Sequence, residues 1–405
     1  MEECSQTTTE VIGMDAHSRK LALCLMRRDG VKLVKVKTVA TTLDALEGTY
    51  RKQMPSGALT VLEASTNSFC IAARLKAIGF DAQVLSADVL SGLSRQDRIN
   101  DRIDAENLAR AYLRYGPELR VVYTPTERGI DMRETFFAYR DARKDATRAA
   151  NRIWSFCSRH GFDVDRRVGK KRCSEIVATA KARGMSAPVV ERVEGLVKDW
   201  TDAVARCAGR EKAIVRAVAA NADMTRLLQV PGIRFIGAFA IVAFVEDIRR
   251  FESPKKFVSY VGLNPSVCGS GEWEAKRSIS RFGRGDLKAI FVEAAQSAMR
   301  TDNGLTKWTR HLLAEGKEWN VAMVALARKL AVLCWHILMD HPVPSREGQA
   351  FTSRKLALLA SRAGKDAIRV AGYDSSANFI ECVCSNLYGH LPEGQSEEVA
   401  LCSNA

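Results

Sequence analysis

A chain of 405 residues is too long for one core, so two or three domains are expected. With 46% hydrophobic and 27% charged residues, the composition is ordinary for a soluble globular protein. Sixty-one lysines and arginines against 47 acids leave a net charge of +14 and a pI near 9.4, which points to a polyanionic partner, most often nucleic acid, with a basic but unrelated enzyme as the alternative. No apolar run reads as long enough for a membrane span of roughly 18–20 residues. The opening MEECSQTTTEVIG has no basic region followed by an apolar block, so no secretory signal is expected. The 11 cysteines are scattered, Cys382 and Cys384 being the one close pair, and read as reduced core thiols rather than as a zinc site.

In chain order, residues 10–26 predict two short strands joined by a polar turn, with Asp15 at the end of the first. A strand follows at 32–39. A helix follows at 42–53, with Thr41 or Thr42 at its N-cap. ALTVLEAS is a compact strand ending at Glu63, residues 67–79 are a helix stopped by glycine, and DAQVLS is another strand. A helix then opens on NDRIDAENLA. This order predicts an α/β layered domain with a mixed sheet. Residues 127–159 are helical, as are 187–220, where Val189, Val193, Leu196, Trp200, Val204 and Cys207 step by three and four. That spacing fits a helical hairpin within one chain or an oligomerisation arm. LLQVPGIRFIGAFAIVAFV places a Pro-Gly turn before a small-residue helix and resembles a helix-hairpin-helix element, whose backbone amides commonly grip a phosphate. A glycine-rich loop and a basic patch follow, then an apolar helix at 318–340 ending near Trp335. The stretch beyond Pro342 has weak periodicity and receives no assignment.

Four acids stand out. Asp15 and Glu63 lie at strand ends, and Asp101 and Asp104 at the first turn of a helix. Strand ends about 4.8 Å apart can bring such side chains together with a neighbouring helix start. Clustered carboxylates repel unless a cation neutralises them. Mg2+ does so with one or two carboxylates per ion, and a pair of such ions clamps the oxygens of a phosphodiester. Taken singly, a strand-end aspartate is a turn residue and a helix-start aspartate serves the macrodipole.

VIGMDAHSRK, TVLEAS and NDRIDAENLA together resemble the acidic signature of the RuvC-like DEDD transposases of bacterial insertion sequences, also called the pilin-gene-inverting type. The family's third block usually reads Lys-Thr-Asp-x-x-Asp-Ala; here Ile99-Asn100 replace the Lys-Thr. The resemblance continues through PGIRFIGAFAIVAFV, RRFESPKKFVSYVGLNP and RSISRFGRGDLK, and covers roughly residues 10–340. It implies an RNase H-like (RuvC-like) fold over 1–125, a helical coiled-coil linker over 126–222, a mainly α C-terminal transposase domain over 223–342, and a tail over 343–405. It also implies Asp15, Glu63, Asp101 and Asp104 as metal ligands and a serine nucleophile, by position Ser270 in GLNPSVCGSGEWE. The usual loop carries two serines. Here Gly269 takes the first place, and Ser266 and Ser278 are lesser candidates.

The implied activity is DNA transposition and recombination, guided by a structured non-coding (bridge) RNA that pairs with donor and target DNA. Family members act as homo-oligomers, here a dimer or tetramer, in the bacterial cytoplasm at the nucleoid. Arg140, Arg143 and Arg152 of the linking helix and Lys276, Arg277, Arg281, Arg284 and Lys288 after the serine would contact nucleic acid, their alternative being a solvated basic face. Trp273 stacks on a base or packs. His17 assists proton transfer or serves as a turn residue, and Asp97 and Glu106 read as solvated charges. Two other functions remain open: a junction-resolving endonuclease with water as nucleophile, and a non-catalytic nucleic-acid-binding protein.

Overall fold

A computed structural model describes residues 10–86, 101–162, 168–270, 273–280, 282–341 and 348–389. The chain divides into two compact units, Met1–Thr126 and Glu127–Ala405.

The first unit is built on a six-stranded mixed sheet of order β3-β2-β1-β4-β5-β6, with β1 Glu10–Ala16, β2 Lys20–Arg27, β3 Lys32–Ala40, β4 Leu59–Glu63, β5 Ala82–Leu85 and β6 Val121–Val122. β1, β2 and β3 form an antiparallel meander, β1, β4 and β5 run parallel, and β6 closes antiparallel to β5. Val11 to Met14 are all buried, the pattern of a strand covered on both faces. One face carries Ile12, Met14, Leu23 and Leu62 against α1 (Leu43–Gln53) and α2 (Ser68–Ala77). The other carries Val11, Ala22, Cys24, Leu59 and Val61 against Ala105, Leu108 and Ala109 of α3 (Asp101–Tyr115). Predicted and observed elements agree closely here. Thr42 and Asn67 stand at their N-cap positions, although neither side chain makes the capping hydrogen bond.

The second unit is mostly helical. α4 (Glu127–Arg159) and α6 (Ala187–Ala219) pack along each other, with α5 (Lys170–Ala182) against α6. Val193, Leu196 and Trp200 of the expected seam are buried with Ile153 and Phe156 of α4 and Cys173 and Ile176 of α5. The seam is therefore filled within one chain, as a helical hairpin. Beyond it, α7 (Ala222–Arg226), α8 (Phe235–Val245), α9 (Pro254–Val261), α10 (Gly285–Ala298), α11 (Gly304–Ala314) and α12 (Trp319–Leu338) build the larger core. A hairpin of β7 (Pro265–Ser270) and β8 (Trp273–Ile279) is inserted between α9 and α10. Contrary to the reading from sequence, one helix among the described residues is long and apolar enough to cross a membrane. It is α12, at 20 residues, and its Met323, Leu326, Leu330 and Cys334 lie buried in this core. The unassigned stretch holds α13 (Gln349–Ala363), α14 (Lys365–Val370) and α15 (Ser376–Tyr388). These add Leu356, Leu359, Ile368 and Phe379 to the same core.

Candidate active site

Strand parity decides where the acids point. Val11, Gly13 and Asp15 alternate onto the α3 face of β1, and Leu59, Val61 and Glu63 onto the same face of β4. Gly13 pairs with Val61 and Met14 with Leu62, so the next step along the parallel register carries Asp15 and Glu63 side by side. α3 crosses β1 at Gly13, where an added Cβ would collide with the carbonyl of Ala105 and crowd the amide of Ala109. That contact sets Asp104, one residue before Ala105, at the same end of the sheet.

Electrostatics register the meeting. Burial pushes the Glu63 carboxyl up, and the facing Asp15 and Asp104 carboxylates push it further. Asp101 opens α3, one turn before Asp104 on the same helix face. Its side chain lies outside the described residues, as does Asp97. Three of the four expected acids thus stand within electrostatic reach, Asp15 and Asp104 each acting on Glu63. His17 Nε2 stands 3.0 Å from Asp15 Oδ2 and so belongs to the acidic edge. Glu106, expected as a solvated charge, is instead half-buried and paired with Lys32 at 2.5 Å and Arg110 at 2.6 Å.

The donor set is oxygen-only and crowded with negative charge, which fits a hard divalent cation such as Mg2+. Among the described residues, no three histidine, cysteine or carboxylate side chains draw close enough to enclose a metal by themselves.

In the second unit, the expected glycine-rich loop is a β-hairpin. Ser270 ends β7 and is paired with Trp273 at the start of β8, with the two residues between them outside the described ones. Two strand-like runs separated by a two-residue Gly-x turn carried that signal in the sequence. The side chains of Ser266, Ser270, Trp273, Lys276, Arg277 and Ser278 are outside the description, and so is Arg281 entirely.

Several of the expected nucleic-acid contacts have partners within the protein. Arg140 pairs with Asp286 at 2.7 Å and stacks on Phe137, Arg284 stacks on Phe244, and Lys288 Nζ donates to the Ser280 carbonyl at 2.8 Å. Arg152 is exposed on α4. It lines a shallow cavity of about 330 Å³ with Asp145, Arg148, Asp199 and Arg206. Arg143 lies one turn before Thr147, whose hydroxyl donates to its carbonyl.

The element expected to be helix-hairpin-helix shows a feature the sequence did not announce. The carbonyls of Leu228, Val230 and Ile233 converge on Lys355 Nζ of α13 at 2.8, 2.8 and 2.5 Å, with the Phe351 ring 4.2 Å away. Burial, with the charge of Arg234 adding, pushes the ammonium down to about 7. A lysine in a helix of mixed composition gives no hint that it plugs a turn 122 residues earlier.

Comparisons with known proteins agree with the motifs. A transposase family profile of the DEDD IS110 kind matches residues 12–159, and one described as "Transposase IS116/IS110/IS902 family" matches residues 224–309. The two together cover more than half of the chain. The chain is similar to a protein of Pseudomonas aeruginosa named "Probable family 20 transposase", 25% identical over 71% of this chain and 86% of that one. It is also similar to the transposase for insertion sequence element IS1111A of Coxiella burnetii, 28% identical over 64% of this chain and 72% of that one.

Proposed function

We propose, for a chain that belongs to the IS116/IS110/IS902 family of insertion-sequence transposases and is thus a DNA transposase, that it cuts and rejoins DNA with a serine nucleophile and an acidic magnesium site. Asp15, Glu63, Asp101 and Asp104 hold the ion, and an RNase H-like arrangement of the first unit places them. The sheet order, with helices on both faces, supports that arrangement. The single observation that carries the reading is that Asp15 and Asp104, on the same face of the sheet, act on Glu63 and raise its carboxyl. When bound, Mg2+ would supply positive charge against the charge that develops on the phosphodiester oxygens.

The chain's own groups do the rest. Ser270 Oγ bonds to phosphorus. The bond from phosphorus to the deoxyribose oxygen breaks, and that oxygen leaves as a hydroxyl carrying the serine's proton. The ester conserves the bond energy for rejoining. His17 keeps Asp15 oriented through its 3.0 Å contact. Arg143, Arg152, Lys276, Arg277 and Arg281 take backbone phosphates, whereas Arg140, Arg284 and Lys288 hold the fold together beside them. The family likeness also brings a structured guide RNA and a homo-oligomer into the proposal, and the net charge of +14 suits RNA as it suits DNA.

Ser270→Ala tests the reading. Incubated with donor DNA and magnesium, the variant is expected to lose both strand cleavage and the covalent protein–DNA adduct seen on a denaturing gel. Cleavage that persists without an adduct would instead identify a water-using junction nuclease.

A further inference from the structure

We propose that Phe282 is a base-stacking residue, inserted against an unstacked DNA base beside the serine hairpin. The inference rests on the DNA strand transfer proposed above and names a contact for it. Phe282 is 77% exposed, whereas the next most exposed phenylalanine or tryptophan among the described residues, Trp319, is 49% exposed. Such exposure on a loose loop would mean little, but the described residues around Phe282 are held by hydrogen bonds. Ser280 N donates to the Asn264 carbonyl at 2.8 Å, and Phe282 N donates to Ser280 Oγ at 3.1 Å. Arg284 N donates to the Tyr260 carbonyl at 2.8 Å, and Lys288 Nζ to the Ser280 carbonyl at 2.8 Å. Gly262 and Gly283 lie back to back with φ of +83° and +104°. A Cβ on Gly262 would strike the Phe282 carbonyl, and one on Gly283 would strike the Gly262 backbone. Two residues in the left-handed region, with no room for side chains, fix the backbone at Gly283, directly after Phe282. The ring is thus presented to solvent by a rigid frame.

What covers it is argued from charge. Lys288 stands within six residues and keeps its cationic head while it braces the loop, Arg284 stacks its own on Phe244, and the chain carries +14 overall. Asp286, the acid between them, is paired with Arg140. An exposed apolar ring on the loop that also binds the Lys288 ammonium suits a ligand with a flat π face next to a phosphate, which is a nucleotide base on its backbone. The transposase assignment makes that backbone DNA. Ser270 lies at one end of the hairpin and Phe282 follows the other, where Pro265 pairs with Ile279, so the base held by Phe282 sits roughly 17 Å of strand away from the serine.

The test measures binding of single-stranded and duplex DNA by fluorescence anisotropy, across a salt series, for the full chain, Phe282→Ala and Phe282→Trp. Phe282→Ala is expected to weaken single-stranded DNA by about 5- to 150-fold. Its slope of log affinity against log salt should stay that of the wild type, because no phosphate contact is removed. Phe282→Trp is expected to restore affinity, and its fluorescence should be quenched by bound DNA. Phe282→Ala binding DNA as the wild type does would overturn the inference alone. So would a loss confined to single-stranded RNA, or a change in oligomer size with DNA affinity intact. A wild-type chain that binds no DNA in any form would overturn the proposed function as well. Because the side chain is exposed, thermal melting should be unchanged, and a lowered melting temperature would mean the ring packs rather than stacks.

Discussion

The acidic edge of the first unit and the serine hairpin of the second reach their positions by opposite means. The acids come from β1, β4 and α3, separated by up to 89 residues of chain, and they meet because the core beneath them has one register. Ser270 and Trp273 are three residues apart and meet as the last pair of one antiparallel hairpin. One candidate site is a product of packing and the other of local backbone pairing. Volume changes in the core should therefore disable the first, while the second should answer mainly to changes in its own loop.

The strongest way to break this contrast is Gly13→Val. The new side chain meets the Ala105 carbonyl, which is backbone and cannot swing aside. Overpacking of this kind costs about 3 kcal/mol. The first unit's melting transition should fall markedly and DNA cleavage should be lost with it, while the second unit's transition stays in place. A Gly13→Val chain that melts and cleaves like the wild type would show that α3 does not depend on that close crossing.

Next comes Lys355→Met, which probes packing in the second unit. Methionine fills the volume but leaves the carbonyls of Leu228, Val230 and Ile233 without their shared donor. Buried acceptors stripped of a charged partner should lower stability by about 2–3 kcal/mol, read from chemical denaturation. The Asp15–Glu63 edge should be untouched. If the variant is as stable as the wild type, water reaches the turn and the lysine is not its anchor.

These two positions also mark where the sequence was readable. β1 to β5, α1 to α3 and the two 33-residue helices were legible because period-2 and period-3.6 patterns survive in single segments. The acidic edge was legible because strand ends and a helix start were, and the motifs fixed which acids to watch. α5 was missed although Cys173, Ile176 and Ala180 carry helical spacing, because charged residues surround them. α15 was missed although Ser375 caps it by accepting from Asn378 N. The contact of Lys355 with the 228–233 turn had no local signal at all, since it depends on a fold that brings α13 beside a distant carbonyl cluster. Likewise, the seam of α6 could not declare from spacing alone whether a second copy or its own α4 and α5 would fill it.

The smallest effect sharpens the acidic edge most directly. Glu63 is held above the usual glutamate range by burial and by Asp15 and Asp104. In the folded chain it therefore keeps a proton where the unfolded chain has already released it. That contribution to stability is fully present below the unfolded value of about 4.3 and is lost as pH rises through the raised folded value. The first unit should accordingly be somewhat less stable at pH 7 than in mild acid. Glu63→Gln should remove this part of the pH dependence, raising the melting temperature at pH 7 by roughly 2 °C and leaving it unchanged in acid. The size stays below about 1 kcal/mol because the carboxyl is only half-buried and water screens it. Added magnesium should raise the wild-type melting temperature at pH 7 by more than that of Glu63→Gln, since a cation relieves the repulsion that the substitution has already removed. A wild-type transition that instead climbs between mild acid and pH 7 by as much as Glu63→Gln does would mean that Asp15 and Asp104 do not face Glu63, and the acidic edge would lose its shared site.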